Sequence, residues 1–185
     1  MRIIAGTHKG MTIYAPAGDQ TRATADKVRC AVFNMLQPVA GMKVLDLFAG
    51  SGAMALEALS RGAAHAVLVD NHPAALKAIS RNITKMGLTN SRATRRDYQA
   101  YLKDAAKKGE RYDLIFVDPP YKMHRVIEPV LRTWLPMVIA GGGMAVIESD
   151  IRQELSLPGE IAKEKVYGDT KVRIFHFSRL SADAE

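Results

Sequence analysis

The sequence predicts an α/β fold in which a mostly parallel β-sheet is covered by helices. Three observations lead to this prediction. Beyond residue 43, short runs rich in β-formers alternate with longer runs whose apolar residues recur at helical spacing. Glycine stands at or near the end of three of these helical runs, where helices commonly stop. A glycine-containing loop joins the first strand to the helix that follows it.

The first 40 residues differ in character and predict a small extension of the domain. The runs "RIIAG" and "MTIYAP" flank "THKG", which predicts a short β-hairpin with His8 and Lys9 near its tip. Apolar residues at helical spacing in "TRATADKVRCAVFNML" predict a helix with Thr24 or Asp26 at its N-terminus. A chain of 185 residues fits one domain, so we expect residues 1–185 to form a single domain with residues 1–40 as its extension.

The rest of the chain predicts alternating strands and helices. The expected strands are "KVLDLF", "HAVLVD", "SRATRR", "YDLIFVD" and "MAVIES", and the expected helices are "AMALEALSRG", "PAALKAISRNITKMG", "YQAYLKDAAKKG" and "VIEPVLRTWLPMV". In the second of these helices Asn71 is the expected cap, and Pro73 lies in the first turn, where its missing N–H costs little. The last two runs, "AKEKVYG" and "KVRIFHF", predict an antiparallel hairpin.

Composition and charge narrow the class of protein. Hydrophobic residues make up 48% and charged residues 24% of the chain, which is typical of a soluble globular protein. The longest apolar stretch, "WLPMVIAGGGMAVI", is interrupted by Pro136 and three glycines, so we expect no membrane helix. The start of the sequence does not resemble a secretion signal, and Cys30 is the single cysteine, which together favour a cytoplasmic location.

The net charge is +7, with a sequence pI near 9.6, and the excess of positive charge is densest at the N-terminus. Residues 1–43 contain six Lys or Arg against two acids, whereas residues 151–185 contain six of each. A polyanionic partner explains this asymmetry as well as ordinary solubility charge does, so charge alone leaves both interpretations open.

The loop within "VLDLFAGSGAMALEA" is typical of a ligand-binding strand-to-helix turn. Gly50 and Gly52 would let the backbone approach a ligand at a helix N-terminus. The G-x-G-x-x-G fingerprint of dinucleotide-binding enzymes is incomplete, which disfavours an oxidoreductase. Asp46 ends the strand and would repel a pyrophosphate, but suits a cationic ligand such as S-adenosylmethionine. A tight turn in which Asp46 caps the helix is the alternative interpretation of this loop alone.

Acidic residues also follow the next two strands. Asp70 closes "HAVLVD", about twenty residues beyond the glycine loop, where a carboxylate can hold ribose hydroxyls. Asp97 follows the third strand and could reach an adenine amino group, although capping of the next helix is the simpler role. Because the carboxyl ends of parallel strands share one edge, we expect these acids to converge on one nucleoside-like ligand.

The motif "DPPY" ends the fourth strand and opens on the same edge. An exocyclic amine on a base is a poor nucleophile, and hydrogen bonds from its two N–H groups to the Asp118 carboxylate and the Pro119 carbonyl would orient its lone pair. Pro119 and Pro120 supply no competing N–H, and Tyr121 offers a surface on which a flipped base can stack. The alternative is a rigid loop in which Asp118 caps the next helix. The five histidines are scattered, and we expect no metal.

These motifs resemble the RsmD family of S-adenosylmethionine-dependent methyltransferases. The resemblance rests on "MRIIAG", "TRATADKVRCAVFNML", "VLDLFAGSGAMALEALSRGA", "VDNHPAALKAISRN", "YDLIFVDPPY" and "KVYGDTKV". It implies a class I, Rossmann-like methyltransferase fold with a seven-stranded sheet. It also implies methylation of the exocyclic N2 of a guanine in 16S rRNA, in an assembled or assembling small ribosomal subunit, by a protein that we expect to be monomeric.

The resemblance also implies roles for individual residues. Those lining the methionine end of the cofactor, its ribose and its adenine side would be Asp46, Phe48, Gly50, Gly52, Asp70, Asn71 and Asp97. Arg22 and Thr24 would close over the cofactor's carboxylate, although Ala23 stands where the family often has proline. The target base would be held by Asp118, Pro119, Pro120 and Tyr121, and RNA would be contacted by Arg2, His8 and Lys9.

Two rival functions remain open at this point. An adenine-N6 methyltransferase acting on DNA or RNA would carry the same "DPPY" motif. A nucleic-acid-binding module without activity would explain the positive charge but not the complete motif.

Overall fold

A computed structural model describes residues 1–16, 23–36, 38–120, 123–153 and 155–178, with the side chains of 23–25 and 124–125 left out. Within these residues the helices are α1 (Ala23–Met35), α2 (Ala53–Ser60), α3 (Pro73–Met86), α4 (Tyr98–Lys107) and α5 (His124–Val138). The strands in the same residues are β1 (Lys43–Asp46), β2 (His65–Asp70), β3 (Ser91–Arg95), β4 (Tyr112–Val117), β5 (Ile139–Asp150), β6 (Glu160–Tyr167) and β7 (Thr170–His176).

The strands of the described residues form one sheet in the order β3-β2-β1-β4-β5-β7-β6. The strands from β3 to β5 in this order are parallel to one another, and β7 lies between β5 and β6 and is antiparallel to both. The predicted mostly parallel, seven-stranded sheet with an antiparallel C-terminal hairpin is therefore confirmed. The direction of winding reverses between β1 and β4, and in open α/β sheets this switch point is where ligands bind, outside the carboxyl ends of the strands.

Most predicted elements are confirmed, but two details differ. Strand β5 starts at Ile139, before the predicted "MAVIES", because a register shift in its pairing with β4 accommodates the glycines that precede Met144. The prediction that Asn71 caps α3 is wrong. His72 is the cap, and its Nδ1 accepts a hydrogen bond from the Ala74 N–H at 3.3 Å. Since Pro73 is the first helical residue, the cap position falls on the residue directly before it.

The sheet is buried on both faces. Two consecutive residues of β1, Val44 and Leu45, are fully buried against different layers. Val44 belongs to the layer formed with α1, α2 and α3, whereas Leu45 belongs to the layer formed with α4 and α5. Burial on both faces explains why the central strands are nearly continuous hydrophobic runs. Among the described residues, no helix is both long and apolar enough to cross a membrane.

Residues 1–14, here called the N-terminal strap, fold back on themselves and lie against α2 and α3. A single antiparallel bridge joins Arg2 to Thr12, and the Ile3 N–H donates to the Met11 carbonyl at 2.9 Å. The predicted hairpin is confirmed as a chain reversal, but regular paired strands do not form there. Backbone groups of the strap pair with α2 instead, as the Thr7 N–H does with the Ser60 carbonyl at 2.8 Å.

A buried glutamate docks the strap on α2. Glu57 is fully buried, and its carboxylate accepts hydrogen bonds from the N–H groups of Ile4 at 2.7 Å and Ala5 at 2.9 Å. Arg61 Nε donates to the same carboxylate at 2.8 Å. A buried charge is tolerated only when it is paired and hydrogen-bonded, and these donors meet that condition. The buried Glu57 carboxylate therefore depends on the docked strap for two of its hydrogen bonds.

A buried asparagine docks the strap on α3. Asn82 Oδ1 accepts from the Tyr14 N–H at 2.7 Å, and its Nδ2 donates to the carbonyls of Tyr14 and Ser51, both at 2.9 Å. Ser51 belongs to the glycine loop after β1. One side chain thus joins the strap, α3 and the loop that begins α2.

The strap approaches α2 so closely at Gly6 that a side chain does not fit. Gly6 and Gly10 share a φ of +83°, but a Cβ on Gly6 would lie 1.7 Å from the Ser60 carbonyl oxygen, whereas a Cβ on Gly10 would meet nothing within 4 Å.

Gly10→Ala should lower the free energy of unfolding by about 1 kcal/mol from the left-handed backbone alone. Gly6→Ala should cost about 3 kcal/mol or more, because the strap must also move. Urea unfolding of both variants measures the difference, and equal costs would contradict the close docking.

Candidate active site

The carboxyl ends of four strands bring acidic side chains to one crevice at the switch point. Asp46 ends β1 and lies between Leu68 of β2 and Phe116 of β4 in the sheet register. The charges of Asp70 and Asp118 both act on Asp46, and that of Asp118 acts on Glu148 of β5. The structure thus brings together three acids predicted from the sequence and one that was not.

Asp46 is the most buried of these acids. Its side chain is 3% exposed, and its Oδ2 accepts from the Ala55 N–H in the first turn of α2 at 3.3 Å. Burial raises the pKa of Asp46 to about 7, and the nearby charges of Asp118 and Asp70 add to the rise, while the Ala55 N–H opposes it. Asp46 therefore accepts a hydrogen bond from the first turn of α2, as the simpler interpretation of the loop expected, although the cap residue itself is Gly52. Asp46 is also a carboxyl whose ionisation near neutral pH a positive ligand would favour.

Asp70 holds the glycine loop against β2. Its Oδ2 accepts from the Gly50 N–H at 2.9 Å, and its Oδ1 accepts from the His72 N–H at 2.8 Å. A carboxylate has about four lone-pair sites, so both oxygens retain the capacity to accept further hydrogen bonds. Asp70 can fix the loop and still receive two ligand hydroxyls.

The structure favours glycine at the two loop positions, Gly50 and Gly52, for different reasons. Gly50 has a φ of +53°, and a Cβ built on it would meet no atom within 4 Å, so the loop borders open space there. Gly52 has a φ of +82°, and a Cβ on it would lie 2.8 Å from Leu68 Cδ2. Gly50 suits the close approach of a ligand. Gly52 allows α2 to begin tightly against β2, and a direct ligand contact for Gly52 stays a prediction.

Asp97 caps α4, and an aromatic pair lies beside it. The Asp97 Oδ1 accepts from the N–H groups of Gln99 at 2.9 Å and Ala100 at 3.0 Å, which confirms the capping role. The rings of Phe48 and Tyr98 are 5.0 Å apart between centroids at an interplanar angle of 38°. They join the loop after β1 to the first residue of α4. Contacts of Asp97, Phe48 and the exposed Asn71 with a cofactor stay predictions.

The described part of "DPPY" presents its acid to solvent. Asp118 is exposed and Pro119 is buried, while the Pro120 carbonyl accepts a hydrogen bond from the Met123 N–H at 2.8 Å. Tyr121 lies outside the described residues, as does Arg22, and of Thr24 only the backbone in the first turn of α1 is described. The hydrogen bond between Pro120 and Met123 thus ties the end of the motif to the residue that precedes α5.

Glu148 is the residue that sequence reasoning missed. The neighbouring residues Val117 and Ile147 pair in the sheet, so Glu148, which lies within β5, is level with Asp118, which follows β4. Burial raises the pKa of Glu148 to about 8, and the charge of Asp118 adds to the rise. The rule that acids near strand ends share the crevice could have found it, but Glu148 falls within the predicted strand "MAVIES".

The residues predicted to contact RNA lie on the strap. Arg2 and Lys9 are exposed. His8 instead contacts other parts of the protein. Its ring Nε2 lies 3.0 Å from the Met86 carbonyl oxygen, and its ring Nδ1 lies 2.9 Å from Thr7 Oγ1. The backbone N–H of His8 donates to Ser60 Oγ at 3.0 Å. His8 therefore ties the tip of the strap to the last turn of α3, and RNA contacts of all three residues stay predictions. No group of three or more potential metal ligands occurs among the described residues.

Comparison with known proteins places this geometry in a family. The model of the family described as "Conserved hypothetical protein 95" matches residues 1–176. The Bacillus subtilis protein named "Putative rRNA methyltransferase YlbH" is 37% identical, over 95% of this chain and 98% of that protein. The Escherichia coli protein named "Ribosomal RNA small subunit methyltransferase D" is 32% identical, over 95% of this chain and 89% of that protein.

A solved structure agrees in fold. It is described as "Putative methyltransferase yhhF from Escherichia coli" and superposes with a TM-score of 0.83 at 30% identity, covering 97% of this chain and 98% of that one. The chain therefore belongs to the RsmD family, and its fold is that of the class I methyltransferases.

Proposed function

We propose that this protein transfers a methyl group from S-adenosylmethionine to the exocyclic N2 amine of a guanine in 16S rRNA of the small ribosomal subunit. The observation that carries the proposal is the convergence of Asp46, Asp70 and Asp118 at the switch point of the sheet, beside the open space at Gly50. The rRNA methyltransferase names of the relatives support the substrate class. The proposal includes a cytoplasmic monomer that acts on an assembled or assembling subunit.

The residues present fit S-adenosylmethionine better than a dinucleotide. Asp70 has free lone pairs for the ribose hydroxyls, and Gly50 allows close approach of the ligand to the loop. Asp46 would attract the positively charged methionine end, whereas a pyrophosphate at the same place would face three carboxyl groups. Phe48, Gly52, Asn71 and Asp97 complete the proposed cofactor site, together with Arg22 and Thr24.

Catalysis in this proposal consists mainly of positioning. S-adenosylmethionine supplies an electrophilic methyl group when it is bound. The Asp118 carboxylate and the Pro119 carbonyl accept hydrogen bonds from the guanine amine and direct its lone pair toward the donor. Asp118 is also the first acceptor of the proton that the nitrogen loses as its bond to carbon forms. Burial and the charge of Asp118 raise the pKa of Glu148 to about 8, which favours its neutral form beside Asp118 near pH 7.

Removal of the Asp118 carboxylate should separate catalysis from cofactor binding. We expect Asp118→Ala to lower the rate of methyl transfer about 100-fold or more, because the amine loses its orienting acceptor. The dissociation constant for the cofactor should change by less than about threefold, since the proposal assigns Asp118 to the target base and the cofactor contacts to Asp46 and Asp70. Single-turnover kinetics and calorimetry measure the two quantities.

The matched control for this variant is Asp113→Ala. Asp113 lies at the opposite end of β4, where its Oδ2 accepts from the Lys43 N–H at 2.8 Å. Its loss should leave the transfer rate unchanged. Parallel loss of rate and cofactor affinity in Asp118→Ala would contradict the division of roles.

Cofactor binding should release a proton from Asp46. In the free protein the pKa of Asp46 is about 7, and a positive ligand favours the ionised carboxylate and lowers this pKa. Affinity should therefore fall as the pH decreases from about 7 to about 5.5, by at most tenfold per pH unit. Calorimetry in buffers of different ionisation enthalpy measures both the affinity and the proton released.

Two variants make this test specific. Asp46→Asn should bind more weakly and lose the pH dependence over this window. Glu148→Gln should retain most of the dependence, because the pKa of Glu148 is raised to about 8, which lies above this window. An unchanged pH dependence in Asp46→Asn would assign the titrating group elsewhere.

Product analysis tests the proposed reaction directly. Labelled S-adenosylmethionine is incubated with small ribosomal subunits that lack the modification, and the RNA is digested to nucleosides. N2-methylguanine is the expected product. N6-methyladenine would instead support the alternative, an adenine-N6 methyltransferase, and label in DNA or protein alone would overturn the rRNA assignment.

A further inference from the structure

A row of positive side chains runs along the outer surface of α3. Lys77, Arg81 and Lys85, here called the α3 ridge, are four residues apart and all exposed, so they share one face of the helix. The sequence of α3, "PAALKAISRNITKM", contains no Asp or Glu. Like charges at this spacing repel each other and destabilise a helix slightly, so the arrangement has a cost that a mixed surface avoids.

The charges of the ridge are not balanced by nearby acids. Within the described part of the chain, none of the three forms an ion pair with a carboxylate. Helices of the opposite layer differ in this respect. Asp104 of α4 pairs with Arg96 at 2.7 Å and with Lys108 at 3.0 Å, and Glu128 of α5 pairs with Arg132 at 3.8 Å. Among the described residues, the ridge therefore presents positive charge that no carboxylate pairs with.

The N-terminal strap holds two members of the ridge in place. Arg81 Cζ lies 3.4 Å from the ring centroid of Tyr14, and Lys85 Nζ lies 4.9 Å from the same centroid. Lys85 also donates to the Thr12 carbonyl. Because these long side chains are already ordered, less conformational entropy is lost when they bind a ligand.

The ridge extends from the candidate active site toward the tip of the strap. Helix α3 starts at Pro73, three residues after Asp70, and rises about 12 Å between Lys77 and Lys85. At its far end the contact between His8 and Met86 brings the strap tip, with the exposed Lys9, beside the last turn of α3. The positive charges thus follow α3 from the end nearer the crevice toward the tip of the strap.

We propose that the α3 ridge, continued by Lys9, binds the phosphate backbone of the RNA whose base enters the crevice. The inference rests on the proposed function, since it takes RNA to be the substrate, and it assigns the contact to a helix without a recognised RNA-binding motif. A row of cations matches a polymer with one negative charge per nucleotide. The exposed residues between the ridge members include Ser80 and Thr84, and the polar surface they give lacks the apolar side chains that insert into a membrane.

The test compares two variants that each lose three positive charges. The ridge variant is Lys77→Gln/Arg81→Gln/Lys85→Gln. The control is Lys103→Gln/Lys107→Gln/Lys108→Gln, on α4 and its C-cap Lys108, in the layer on the other face of the sheet. Binding of a 16S rRNA fragment is measured between about 50 and 300 mM KCl. Each phosphate contact contributes about 0.7 to 0.9 to the slope of log affinity against log salt.

The ridge variant should lose about two to three units of this slope and bind at least about tenfold more weakly at low salt, while the control keeps nearly the full slope. Equal losses in both variants would reduce the effect to net charge and overturn the proposal. Lys77→Gln alone guards against disturbance of the strap, since Lys77 makes no described contact with it. This variant should lose about 0.7 to 0.9 of the slope, and an unchanged slope would also overturn the proposal.

Two further readouts separate this inference from the proposed function. Wild-type protein that binds the RNA through the ridge but methylates no guanine would contradict the proposed reaction and leave the ridge intact. A ridge variant that binds and methylates RNA as the wild type does would contradict the ridge alone. Wild-type protein that ignores the RNA but binds vesicles containing phosphatidylglycerol would overturn the choice of RNA as the partner.

Discussion

The parallel pairing of β1 with both β2 and β4 is the constraint on which the rest of the site depends. It places Asp46 between two strands and brings Asp70 and Asp118 close enough for their charges to act on it. Burial of Asp46 is unfavourable for its charged form, and the partial compensation comes from the Ala55 N–H at the start of α2. The crevice therefore gathers acidic side chains with little compensating positive charge nearby, and a cationic ligand would stabilise their ionised forms.

The N-terminal strap connects this crevice to the outer surface of the molecule. Asn82 of α3 forms hydrogen bonds with both Tyr14 of the strap and Ser51 of the glycine loop. The strap and the loop that borders the crevice are therefore joined through one buried side chain. Glu57 provides a second anchor through the Ile4 and Ala5 N–H groups. These buried polar groups are satisfied only when the strap is docked, so its position is energetically tied to the core.

Much of the fold and part of the site were predictable because they depend on local sequence. Strand and helix periods, the glycine loop and the acids at strand ends all follow from residues close together in the chain. The docking of Glu57 onto the strap spans more than fifty residues, and no local pattern distinguishes it from a surface glutamate. Glu148 was hidden inside a strand pattern, and the cap of α3 shifted from Asn71 to His72 because Pro73 fixes where the helix starts. Long-range packing decides such details.

If one crevice orients the methyl donor toward Asp118, a crystal structure with S-adenosylhomocysteine will show this most directly. We expect the ribose hydroxyls to donate hydrogen bonds to Asp70 and the methionine end to lie beside Asp46 and Gly50. The sulfur should lie on the side of the crevice where Asp118 lies. A ribose bound at another strand end, or a sulfur directed away from Asp118, would contradict it.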